Sequence, residues 1–136
     1  MNTDRMAVAI GLARNEDISA VLTLLEQSDL PKDGLADHWA TTLVARDDGR
    51  IVGSAALEMY GASALLRSVA VDPARRGRGL GQRLARAALD LARQGGVTEV
   101  YLLTETAGEF FPRFGFRAVD RAQVPEAMRQ SVEFTS

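Results

Sequence analysis

The densest run of chemically competent residues in the chain is Arg75-Arg76-Gly77-Arg78-Gly79-Leu80-Gly81. Glycines at alternate positions let a backbone come close to a ligand. If a helix starts here, its first-turn amides and its dipole favour an anion, and the guanidinium groups add charge-assisted donors. A pyrophosphate suits this description. The spacing is not G-x-G-x-x-G, because Gln82 stands where the third glycine would fall, and no Gly-Lys-Ser/Thr follows to make a nucleotide-triphosphate loop. The plainer alternative is a tight strand-to-helix turn carrying solvated arginines.

A second grouping flanks a short connection. Glu58 precedes and Arg67 follows Gly61-Ala62-Ser63, so a hairpin brings a carboxylate and a guanidinium together. One reading is a cross-strand ion pair contributing about 0.2–1 kcal/mol. The other is a proton acceptor beside a planar fork that holds an anionic group of a ligand. Strict strand alternation puts Arg67, Val69 and Val71 on one face. His38 is the only histidine and is expected at the surface of the polar stretch Asp29 to Thr41. With no cysteine, disulfides, thiolate metal sites and a thiol nucleophile are all excluded, and no metal site is expected.

The elements that must position these residues can be read from periodicity. A chain of 136 residues, 46% hydrophobic, suits one domain over residues 1–136 with one sizeable core. A formal net charge of -2 gives no reason to expect a nucleic acid or an anionic membrane as partner. No run reaches the ~18 apolar residues that span a bilayer, and Met1 to Arg5 lacks a signal-peptide core. The expectation is a cytoplasmic protein, monomer or homodimer.

Met6 to Arg14 alternates as a first strand, and Asn15-Glu16-Asp17 opens a helix carrying Ile18, Val21, Leu22 and Leu25 and stopping near Ser28. Strands are expected at Thr42–Arg46, Arg50–Tyr60 and Ala64–Val71, with a strong hairpin signal at Asp47-Asp48-Gly49. Leu80, Leu84, Ala88 and Leu91 then mark one face of a helix that ends at Gly95-Gly96, and Arg83, Arg86, Asp90 and Arg93 mark the other. A buried strand is expected over Val97–Thr104, a short helix over Glu109–Phe114, a strand over Phe116–Val119, a helix start at Pro125 and a last strand at Val132–Phe134. Strand, helix and strand after an antiparallel meander give a mixed α+β sheet.

In order and spacing these blocks resemble the Gcn5-related N-acetyltransferase (GNAT) superfamily over nearly the whole chain. Its phosphate loop, Gln/Arg-x-x-Gly-x-Gly/Ala, is matched by Arg76, Gly79 and Gly81 after Ser68-Val69-Ala70-Val71-Asp72-Pro73. Its later strand and Gly-Phe are matched by Tyr101-Leu102-Leu103-Thr104 and Phe114-Gly115-Phe116. Within it, Leu65 to Val71, Ala107 with Phe110-Phe111, and Val124-Pro125-Glu126-Ala127 are similar to the small acetyltransferases of arsenic-resistance operons. Part of the pattern is also similar to the domain that makes N-acetylglutamate. The lack of cysteine speaks against direct arsenic binding.

The resemblance implies a GNAT fold: a mixed, mostly antiparallel sheet splayed between strands four and five and flanked by helices. It implies acetyl-CoA as cosubstrate, held by Val69, Ala70, Val71, Arg76, Gly77, Arg78, Gly79, Leu80, Gly81, Gln82, Thr104, Phe110 and Arg113. It further implies acetylation of a small amino-acid-like amine, glutamate-like or a toxic analogue such as an organoarsenical; for that reaction Glu58 is the candidate base and Arg67 its neighbour by their place on the hairpin, with the structural ion pair as the alternative. Many relatives carry a tyrosine as general acid where this chain has Phe111. That departure keeps a non-catalytic acetyl-CoA-binding module in view, and a protein N-acetyltransferase is a further alternative.

Overall fold

The protein is seen in a computed structural model that describes residues 8–102 and 125–129. Five strands form one sheet in the order β1-β2-β3-β4-β5: β1 Val8–Leu12, β2 Thr42–Asp47, β3 Arg50–Tyr60, β4 Ser63–Val71 and β5 Glu99–Leu102. The first four pair antiparallel and β4 pairs parallel with β5. Helix α1 covers Ile18–Gln27, α2 covers Leu80–Gln94 and α3 covers Glu126–Arg129.

Turn chemistry explains the meander. Asp48 and Gly49 both take positive φ (53° and 82°), the conformation a two-residue hairpin demands, and Asp is one of the few side chains that tolerates it. Gly61, with φ 65°, does the same between β3 and β4. A parallel partner cannot be reached by a tight turn, so the chain crosses through α2 before β5.

Each face of the sheet is covered by a helix. On one side Leu80, Leu84, Ala88 and Ala92 of α2 pack against Leu43, Ala45, Val52, Ala55, Leu57 and Leu66, while Arg83, Arg86, Asp90 and Arg93 face solvent. A Cβ at Gly53 would lie 2.7 Å from Leu84 Cδ1, so the bare backbone there lets α2 settle onto the strands. On the other side Val21, Leu24 and Leu25 of α1 pack against Val44, Ala56 and Ala70, with Leu35 from a 3₁₀ helix over Leu35–Thr41. Met128 of α3 closes a small cluster with Leu65, Tyr60 and Tyr101.

The start of α1 is locked by one buried carboxylate. Asp17 Oδ2 accepts from the Arg14 amide (2.7 Å), Oδ1 accepts from Arg46 Nη1 (2.8 Å), and Arg46 Nη2 also donates to Oδ2. The Arg46 guanidinium holds the Asp17 carboxyl below the usual carboxylate range; burial opposes this and the Arg14 amide adds to it.

Candidate active site

The end of β4 is where the backbone departs from a regular ladder. Ser54 faces Ala70 and Ala56 faces Arg67, so Ser68 and Val69 together oppose Ala55. Ser68 sits at φ 59°. The kink is held from both sides: Ser54 Oγ donates to the Ser68 carbonyl (2.7 Å) and Arg67 Nε donates to Ser68 Oγ (3.1 Å).

This bulge overturns the expectation that Arg67, Val69 and Val71 share a face. Arg67 stands with Glu58 on the α1 side, whereas Val69 and Val71 pack into the α2-side core. The extra residue reverses the alternation between them.

The bulge also fixes what the strand edge offers. The Asp72 amide donates to the Val52 carbonyl (2.9 Å), which makes the adjacent Gly53–Val71 pair a non-hydrogen-bonded one. The amide and carbonyl of Val71 therefore point away from β3 and those of Ala70 toward it. The Val71 carbonyl accepts from Arg76 Nε at 3.2 Å, in keeping with that direction. The ladder to β5 runs from Ser63↔Glu99 to Leu66↔Leu102, so Val69 and Val71 lie beyond its described pairs.

From this edge the chain enters the glycine turn. Asp72 Oδ1 accepts from the Ala74 amide (3.0 Å) and starts a 3₁₀ turn over Pro73–Arg75. Gly77 and Gly79 follow at φ 82° and 80°, and among the described residues no atom beyond their chain neighbours lies within 4 Å of where a Cβ would stand on either. Leu80 begins α2, with Gly81 and Gln82 half-buried in its first turn. The result is an open cradle at a helix N-terminus, which fits a pyrophosphate. The three arginines are not equivalent. Arg75 pairs with Asp47, and Arg76 with the Val71 carbonyl and Ser28 Oγ (3.4 Å). Arg78 is exposed and has no hydrogen bond or ion pair among the described residues.

Glu58 and Arg67 meet on the opposite face. Arg67 Nη1 donates to Glu58 Oε2 (2.8 Å), and both side chains are buried, at 0% and 1% exposure. Arg67 Nη2 also reaches the carbonyls of Asp33 (2.9 Å) and Pro31 (3.4 Å), which ties the loop after α1 to β4. Glu58 Oε1 accepts from the Tyr60 hydroxyl at 2.5 Å, and His38 Nε2 lies 3.7 Å from the same oxygen. Sequence reading assigned His38 to the surface. Instead the 3₁₀ helix breaks at this residue (φ -121°, ψ 22°) and brings its ring to the buried carboxylate. The local sequence carries no such signal, because the contact is made across the sheet. Among the described residues no cluster of His, Asp and Glu is arranged to hold a metal ion.

Thr104, Phe110 and Arg113, and with them Phe111, lie outside the described residues. So do the expected elements at Glu109–Phe114, Phe116–Val119 and Val132–Phe134.

Comparison with known proteins agrees with this geometry. Residues 12–116 match the profile described as the acetyltransferase (GNAT) family. The amino-acid acetyltransferase of Neisseria meningitidis serogroup A is 28% identical over 132 residues, which cover 90% of this chain and 30% of that protein. N-acetylglutamate synthase from Neisseria gonorrhoeae, solved with coenzyme A and N-acetyl-glutamate, superposes with a TM-score of 0.83 at 26% identity, covering 94% of this chain and 32% of that one. Rv2747 from Mycobacterium tuberculosis, solved with CoA and NLQ, gives 0.81 at 25% identity over 93% of this chain and 86% of that one. The chain thus spans 30% of the length of the Neisseria amino-acid acetyltransferases it matches.

Proposed function

This chain belongs to the acetyltransferase (GNAT) family, and from that premise we propose that it moves the acetyl group of acetyl-CoA to the amino group of a small amino-acid-like substrate in the cytoplasm. The observation that carries the reading is the glycine turn: two residues at positive φ with open space above them, at the start of a 15-residue helix and directly after an outward-facing strand edge. Two solved relatives hold coenzyme A, and one of them also holds N-acetyl-glutamate, which supports a glutamate-like acceptor. A toxic analogue such as an organoarsenical is the finer alternative, drawn from the resemblance to the arsenic-operon group.

In this reading the amides from Arg76 to Gln82 receive the pyrophosphate, with Arg78 as the exposed cation beside it. Val69 and Val71 pair with the pantetheine arm from one side, and Thr104, Phe110 and Arg113 complete the cosubstrate contacts. The Val69 amide is the donor for the thioester oxygen as negative charge develops there. Glu58 accepts the proton of the attacking amine. Arg67 acts as a positioning residue, because its guanidinium is spent on Glu58 and on the loop carbonyls. An α-amino group with a pKa near ~8 is partly neutral at working pH, so a weak base suffices. Positioning of the two reactants supplies much of the remaining rate.

The test pairs a binding measurement with an amine panel. Calorimetry should show acetyl-CoA affinity falling at least ~10-fold in Gly79→Val, where a side chain enters the anion's path, with the circular dichroism of the fold retained. Unchanged affinity would remove the cradle from the reading. Thiol release should be fastest with glutamate-like amines. Binding without turnover on every amine would identify a cofactor-binding module, and turnover only on peptide N-termini a protein acetyltransferase.

A further inference from the structure

Glu58 is placed to take a proton, but its side chain is 1% exposed, and a substrate seated over that small opening leaves the proton no direct exit to water. We propose that His38 is the relay between Glu58 and bulk solvent, a positioning and proton-exit residue for the reaction. The inference rests on Glu58 as base.

The placement of His38 is built, not incidental. Its carbonyl accepts from Thr42 Oγ1 (3.0 Å), and the Thr41 hydroxyl, 3.2 Å from the same carbonyl, gives its one proton to the Leu57 carbonyl of β3 (2.6 Å). These bonds pin the kinked backbone to β3, one residue from Glu58. The His38 side chain is 24% exposed, so one end of the ring reaches the carboxylate and the ring also meets solvent. Its Nε2 is 3.7 Å from Oε1, a gap that a small ring rotation or one water closes. Among the described residues, the ionisable groups facing it are Glu58 and Tyr60 from β3, with Arg67 of β4 behind Glu58. The Tyr60 ring lies at a centroid distance of 6.5 Å, and Asp37 of its own turn is exposed.

The proton balance is simple. The amine nitrogen bonds to the acetyl carbon, the carbon–sulfur bond breaks and the thiolate leaves with the electron pair. The amine proton goes to Glu58 Oε1, from there to Nε2 of neutral His38, and Nδ1 releases a proton to water. Exchange with solvent restores the starting tautomer. Tyr60, bonded to the same oxygen, holds Oε1 in line.

His38→Gln should lower kcat at least ~10-fold with KM for the amine changed less than about twofold, and should remove an acid limb from the kcat profile. Added imidazole should restore part of the rate, which a structural role would not allow. Because the chain has one histidine, its ring C2 proton can be followed by NMR without assignment, and its titration midpoint should coincide with that limb. Glu58→Gln is measured in parallel. Full turnover in His38→Gln with the parent profile overturns the relay alone, and a loss without imidazole rescue overturns it too. Full turnover in Glu58→Gln overturns the base assignment itself.

Discussion

The two faces of the sheet are made from the same strands yet do opposite work. Toward α2, β2, β3 and β4 contribute an apolar cluster of Leu43, Ala45, Val52, Ala55, Leu57, Ala64 and Leu66. Toward α1, the same strands bury Glu58, Arg67 and Ser54, and Arg46 reaches Asp17 at the helix start. Apolar burial needs only volume and shape, contributing roughly 25 cal/mol per Å² removed from water. Buried charge is costly unless each group meets a partner of the right geometry. The difference teaches that the α2 face holds the sheet together and the α1 face spends part of that stability on aligned polar groups.

The largest expected effect comes from breaking the charged face. Arg67→Met, which strips the guanidinium from a buried carboxylate, should destabilise by about 3–5 kcal/mol in urea titration, whereas the double change with Glu58→Gln should recover most of the loss. A double mutant no more stable than the single one would mean that Arg67 contributes through the loop carbonyls and not through Glu58.

On the apolar face, Leu84→Ala should cost about 2–5 kcal/mol, depending on how far α2 can settle into the space. The kcat of the protein that remains folded should stay within about twofold of the parent. A large fall in kcat at unchanged fold would erase the division of labour between the faces.

A smaller effect is expected at Asp17→Asn, roughly 1.5–3 kcal/mol, for the loss of charge-assisted bonds to Arg46. Its pH dependence has a definite sign. A carboxyl whose folded pKa is depressed contributes its stability above the ordinary value near ~3.9, and loses it as pH falls through the folded value. The parent should therefore lose stability on acidification below about pH 4 by more than the variant does. Parallel acid curves would assign the loss to other carboxylates.

How much of this was legible beforehand depended on range along the chain. The hairpin at Asp48-Gly49, the amphipathic α2 and the glycine turn are written in neighbouring residues, because positive φ and a helical period are local requirements. The family resemblance rested on the glycine turn, the strand before it, and Tyr101–Thr104 with Phe114-Gly115-Phe116, and the profile match over residues 12–116 agrees with it. The pairing of Glu58 with Arg67 was legible as one of two readings, since a short hairpin makes such neighbours unavoidable.

Three features were decided only by tertiary structure. Ser68 has no residue type that announces a positive φ, and its bulge is held by Ser54 from the neighbouring strand β3 together with the adjacent Arg67. Asp17 was read as part of a helix start, but its tight hold depends on Arg46, which arrives 29 residues later. His38 sits in a polar stretch without periodicity, and its kinked backbone is fixed by the Thr42 bond to its carbonyl and the Thr41 bond across to β3. The sequence by itself determined the described strands and helices and a glycine turn at a helix start, because those follow from local backbone preference and hydrophobic spacing. Which polar side chains share a buried site was left to the packed fold, because one extra residue in a strand reverses every face after it and no local pattern records that.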